Sequence, residues 1–159
     1  MSDTPTTSAE QTDLVRILAR AGAGLVLGGL LTGVVAGGAL SGRYSFIDGK
    51  IILGAHLAAL MGAFFIFAVA WSLPLLQLGE QGRFRLAWAV IVSNYANWLV
   101  STAKSMLGVH GVDLTADARN NAVFGVLTLL VVLPGLAAAV VWVRSLGPRT
   151  SLQYPRSKP

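Results

Sequence analysis

His56 is the residue of this chain that packing explains least well. It stands in "GAHLAALMG" (residues 54–62), inside an apolar run from Ile51 to Leu76. An ionisable group in such a run sits where charge is disfavoured, which makes it a functional hypothesis by default. Neutral imidazole is also a common ligand of metals and of haem iron. At 100° per residue, Ala59, Ala63 and Ala70 fall within about 60° of His56 on a helix, with Phe67 alongside. Two readings of that strip stay open. It is either a helix-packing seam with His56 hydrogen-bonded near the membrane boundary, or the floor on which a flat cofactor lies with the imidazole as its axial ligand. His110, in "VHGVD", is the second histidine and a weaker candidate for sharing a metal, because its neighbours read as ordinary loop.

The other polar set is "SNYANWLVSTAKS", residues 93–105. On a helical wheel Ser93, Asn94, Asn97, Ser101, Lys104 and Ser105 fall within about 120° of one another. A polar stripe on an otherwise apolar helix must face the protein interior or a wet cavity. Hydrogen bonds between helices account for part of it, and six groups on one face point to a polar cavity. Tyr95, Asn97 and Ser101 are its candidate catalytic side chains, with Trp98 beside them. Lys104 lies near the end of the helix, where it snorkels or meets an anionic group of a cofactor.

The carboxylates are informative by their positions. Asp3, Glu10, Asp13, Asp48, Glu80, Asp113 and Asp117 are the full set, and each reads as part of a tail or loop. No acid is left for an intramembrane proton relay or ion site, nor for paired-carboxylate or Ser-His-Asp hydrolysis. The chain has no cysteine, which excludes disulfides, thiolate metal sites and iron–sulfur clusters.

These residues need elements to position them. Of 159 residues 54% are hydrophobic and 12% charged, about half the charged share of a soluble domain. Four apolar stretches, near 14–40, 51–78, 86–107 and 122–146, are long enough to cross a bilayer, which takes roughly 20 residues of helix. The expected fold is therefore all-α: one four-helix transmembrane bundle over residues 14–146. It lies between a disordered leader (1–13) and a disordered tail (147–159). The leader is acidic and long, unlike the short basic start of a cleaved signal. Eight of the twelve Lys and Arg residues fall on the side of the two termini, so the positive-inside rule puts both termini in the cytoplasm of an inner-membrane, multi-pass protein. The basic residues flank apolar stretches and do not cluster with aromatics, so nucleic acid is not an expected partner.

Lipid supplies no hydrophobic drive between helices, so close backbone approach must hold the bundle. Gly24 and Gly28 are four apart, as are Gly29, Gly33 and Gly37, and Gly54, Ala58 and Gly62 repeat the spacing in the second stretch. "AGAGLVLGG" has the glycines of a dinucleotide loop, but no strand precedes it. Pro74 and Pro134 are expected to kink the second and fourth helices.

"AHLAALMG", "FAVAWSLPLLQL" and "YANWL" together resemble the small four-helix hydroxylaminobenzene mutases, which are similar in turn to the membrane-bound styrene oxide isomerases. The resemblance implies a homotrimer holding haem b between subunits, with His56 as axial ligand and Ala59, Ala63 and Lys104 around the cofactor. It implies a small lipophilic aromatic substrate, foremost an arylhydroxylamine rearranged to an aminophenol, with Asn97 orienting the oxygen. An epoxide-to-aldehyde isomerase is the alternative. A non-catalytic haem or small-ligand protein is a further one, and so is a structural bundle without cofactor. The chain departs from the family pattern at three positions. Gly62 follows Met61 where the family has an asparagine between them. An acid and a tyrosine of the isomerases align with Ser93 and Ser101.

Overall fold

A computed structural model of the chain describes residues 6–147, with side chains from Thr12 onward. All regular structure among the described residues is helical. Helix α1 runs Thr6–Leu40, α2 Gly49–Ser72 and α3 Glu80–Leu107. A fourth rod is continuous through α4 (Ala118–Leu127), a π-helical turn (Thr128–Val132) and α5 (Leu133–Ser145). Three of the four rods are long and apolar enough to cross a membrane: Thr12–Leu40, Gly49–Leu75 and Ala118–Ser145. The third, α3, has the length at 28 residues, but its polar stripe and flanking charges make it less apolar than the others. A helix that turns polar groups toward its neighbours pays in hydropathy, which is why four apolar stretches yield three apolar rods.

The helix ends follow local chemistry. The Asp48 carboxylate accepts from the Lys50 and Ile51 amides at 2.9 and 3.0 Å and so caps α2. Asp117 accepts from the Arg119 amide and caps α4 in the same way. Gly108, at φ 64°, closes α3 in a left-handed conformation that glycine adopts without strain. Helix α1 begins at Thr6, inside the segment expected as leader, because "TSAEQT" holds no residue that stops a helix. Residues 1–5, and the expected tail from 148 onward, lie outside the described residues.

The two prolines act differently from simple kinks. Pro74 ends α2, and the chain leaves through a 3₁₀ turn, Leu73–Leu75. Pro134 lies just after the π turn, so the helix widens to accommodate the missing amide instead of breaking.

Helix α2 lies between α1 and α3, α1 also touches α3, and the fourth rod rests on α3. The main core joins Leu18 and Leu25 of α1, Ala59, Ala63, Ile66 and Val69 of α2, and Leu86, Ala87 and Val90 of α3. The fourth rod contributes little, since only Asn120, Ala138 and Ser145 of it are buried.

Candidate functional site

The α1 glycines receive large side chains one by one. A methyl group on Gly22 would lie 2.8 Å from the Phe67 ring, on Gly24 2.7 Å from the Tyr95 hydroxyl, and on Gly28 2.8 Å from the Trp98 ring. On Gly29 it would meet Ala59 and Leu60 at 3.0 and 3.1 Å, and on Gly33 the His56 ring at 2.8 Å. Gly24 and Gly28 therefore form the α3-facing notches, and Gly22, Gly29 and Gly33 the α2-facing ones.

His56 occupies the Gly33 notch. Its Nδ1–H donates to the Gly29 carbonyl oxygen at 2.7 Å. A carbonyl only accepts, so the proton must sit on Nδ1. In the neutral tautomer that makes this bond, the lone pair is on Nε2. This is the arrangement in which a backbone carbonyl orients a histidine that binds a metal through its other nitrogen. The half-buried His56 thus fits an axial ligand, and its donor atom is defined by a backbone group on another helix.

The alanine strip behaves differently. Ala59 and Ala63 are both 0% exposed and lie in the core, with Ala59 against Gly29. Both are thus covered by the chain's own packing, and a planar group held by His56 does not lie on these two alanines within one chain. The open face of α2 beside His56 is instead Leu53, Leu57, Phe64 and Trp71, the last 88% exposed.

The α3 aromatics are committed to α1. Tyr95 donates its hydroxyl to the Ala21 carbonyl at 2.9 Å. Trp98 Nε1–H donates to Thr32 Oγ1 at 2.9 Å, and Thr32 donates onward to the Gly28 carbonyl at 2.8 Å. The two rings meet edge to face, 6.2 Å between centroids.

Much of the polar stripe is satisfied within α3. Ser93 and Asn94 both donate to the Val90 carbonyl, and Ser105 donates to the Thr102 carbonyl. Back-bonding of this kind is the usual fate of short polar side chains inside helices. Asn94 also fills the space left by Gly62 of α2. Asn97 is the exception. Its Oδ1 accepts from Ser101 at 3.4 Å, a long bond, and its amide N–H2 has no partner among the described residues. Lys104 donates to the His110 carbonyl at 3.1 Å.

A polar recess of about 270 Å³ lies at the end of the bundle away from the termini, lined by Lys50, Ile51, Gly54, Ser101, Lys104, His110 and Val112. It gathers Ser101 and Lys104, but on the wrong side of α2 for His56. Gly54 and His56 are about 160° apart on the helix. The stripe faces α3's neighbours across the recess, while His56 faces α1. Within one chain the structure does not bring His56 together with Asn97, Ser101 or Lys104. His110 likewise lies in the recess, and no group of three His, Asp or Glu residues among the described residues is placed to hold a metal ion. A wider groove of about 750 Å³, between Asp13, Leu14 and Ile17 of α1 and the segment Leu78–Arg85, is at the opposite end.

Gly29 and Gly33, which contact His56, and Thr32, which accepts from Trp98, are positions that residue types alone do not single out. The spacing of four between Gly29 and Gly33 was the available signal, and it located the notch without naming the side chain that fills it.

The family described as styrene oxide isomerase matches residues 14–146, which take in all four rods except the first turns of α1. No curated protein and no solved structure gives a significant match.

Proposed function

The chain belongs to the styrene oxide isomerase family, and from that premise we propose that it is a membrane isomerase converting a small lipophilic aryl epoxide into the isomeric aldehyde. The observation that carries the proposal is the hydrogen bond from His56 Nδ1 to the Gly29 carbonyl, which leaves Nε2 available as a ligand atom at a position the family match includes. His56 would hold haem b, which when bound would supply a Lewis acid. The family match supports the epoxide reaction ahead of the arylhydroxylamine rearrangement that the motifs put first.

The rearrangement moves a hydrogen with its electron pair to the neighbouring ring-bearing carbon as the epoxide C–O bond breaks, so atoms and oxidation level balance within one molecule. The chain's own residues serve this in three ways. Its apolar helices concentrate a lipophilic substrate and keep water from capturing the cationic carbon. Asn97 offers an amide N–H2 that can bind the substrate oxygen, with Ser101 fixing its other end. Gly29 and Gly33 hold the imidazole in its notch.

Because α2 separates His56 from the stripe, the two would complete one site only between copies. We propose a homotrimer in which the open α2 face of one copy, Leu53, Leu57, Phe64 and Trp71, meets its neighbour. The termini lie on the cytoplasmic side in this account. The test is conversion of styrene oxide by the purified, haem-supplemented protein. Aldehyde formation abolished by His56→Ala is expected, and a parent protein that forms none overturns the reading.

A further inference from the structure

The groove of about 750 Å³ between the start of α1 and the start of α3 combines an apolar wall with charges of both signs. The wall is Leu14 and Ile17 of α1, Leu78 of the α2–α3 link and Phe84 of α3. Ile17 and Phe84 are exposed although large and apolar. Among them stand Asp13, Glu80, Arg83 and Arg85. The Arg83 guanidinium is held in place through Nη2, which donates to the Leu76 carbonyl at 3.2 Å. Asp13 meets Arg16 at 3.4 Å with both side chains largely exposed, a pair too solvated to hold either firmly. Glu80 and Arg85 form no ion pair among the described residues.

The groove lies where a bilayer would begin. Helix α3 carries Glu80, Arg83 and Arg85 in its first two turns and no further charge until Lys104. Trp88 lies one turn beyond Phe84, exposed and with its ring centroid 6.2 Å from that of Phe84. An exposed tryptophan next to arginines at the end of an apolar helix marks headgroup depth. Gly79 precedes α3 without a side chain to cap its first turn, and a Cβ there would meet nothing within 4 Å. The groove is therefore open over the positive end of a 28-residue helix.

We infer that this groove seats the headgroup of an aminophospholipid, a lipid with a phosphate and a primary ammonium. Its acyl chains follow the wall of Leu14, Ile17 and Phe84 into the bilayer. The phosphate matches Arg83, Arg85 and the start of α3. The ammonium matches Glu80 and Asp13, to which it donates N–H groups. A purely anionic headgroup would set its charge against the two carboxylates, and a choline headgroup has no N–H to give them. The inference needs only that the chain lies in a bilayer and is independent of the reaction proposed above.

The test is competitive lipid retention by the full-length protein, read by native mass spectrometry. Phosphatidylethanolamine, phosphatidylcholine and phosphatidylglycerol with identical acyl chains are offered in equal amounts in detergent. The ethanolamine lipid should be retained over each of the others by about two- to tenfold, the net worth of one hydrogen bond. Asp13→Asn/Glu80→Gln should erase its advantage over the choline lipid, and Arg85→Gln should weaken all three alike. These side chains are exposed, so neither variant disturbs the core. Equal retention of the three lipids by the parent, or preference for the glycerol lipid, overturns the inference. So does an ethanolamine preference that survives Asp13→Asn/Glu80→Gln unchanged, because the lipid then sits elsewhere.

Discussion

His56 Nδ1 lies 2.7 Å from the carbonyl oxygen of Gly29, twenty-seven residues earlier and on the neighbouring helix. That contact places the proton on Nδ1 and ties the ring to α1. It is possible because Gly33, one turn on, has no side chain to occupy the space of the imidazole.

Gly33→Ala tests the notch without touching the histidine. The added methyl would fall 2.8 Å from the ring atoms Nδ1 and Cε1, so the imidazole must shift off the Gly29 carbonyl. Haem affinity is expected to drop by about 10- to 100-fold, as when a ligating histidine loses the group that orients it. Haem titration measures it, and affinity equal to the parent's would show that the notch does not orient the ligand.

Thr32→Val tests the α1–α3 link. It keeps the shape and leaves the Trp98 indole N–H without its acceptor. A part-buried donor left without its acceptor should cost about 1 kcal/mol, toward the low end for orphaned groups, read as a lower midpoint of thermal unfolding in detergent. The same substitution should leave the haem spectrum unaltered, because Thr32 and His56 lie in different notches.

Asn97→Ala should retain haem and lower kcat by about 10²-fold, the scale of losing one preorganised donor to a developing oxyanion. Unchanged kinetics would remove Asn97 from the site.

Acid should loosen the end of the bundle away from the termini. The Ile51 amide, then that of Lys50, hold the Asp48 carboxyl below its ordinary range, with His110 and Lys50 adding to the effect against some desolvation. A depressed folded pKa contributes stability that is present above the unfolded value, about 3.9, and is lost as pH falls through the lower folded value. Asp48→Asn keeps a capping side chain and removes the proton. Its unfolding midpoint should therefore vary less between pH 5 and 2.5 than the parent's, and an equal dependence would assign the acid sensitivity elsewhere.

Periodicity and spacing made a good part of this legible. The glycines at 24 and 28 and at 29 and 33 foretold close approach of helices, because only backbone contact rewards that spacing in an apolar segment. They did not reveal which aromatic fills which notch, since that depends on how α2 and α3 rotate against α1. The polar stripe of α3 was visible on a wheel, but back-bonding to Val90 and Thr102 is a local alternative that a wheel does not distinguish from a cavity. Ala59 and Ala63 share the histidine's side of α2, yet only the packing of the whole chain decides that they are covered. The π turn has no residue signature of its own; Pro134 signalled an irregularity and left its form open.

The most direct test of the central claim is the absorption spectrum of the protein purified in detergent after expression with ample haem, beside that of His56→Ala. The account predicts a Soret band in the parent that is absent from the variant, with both proteins folded in the membrane as the same oligomer. A band of equal strength in both, or in neither, would contradict it.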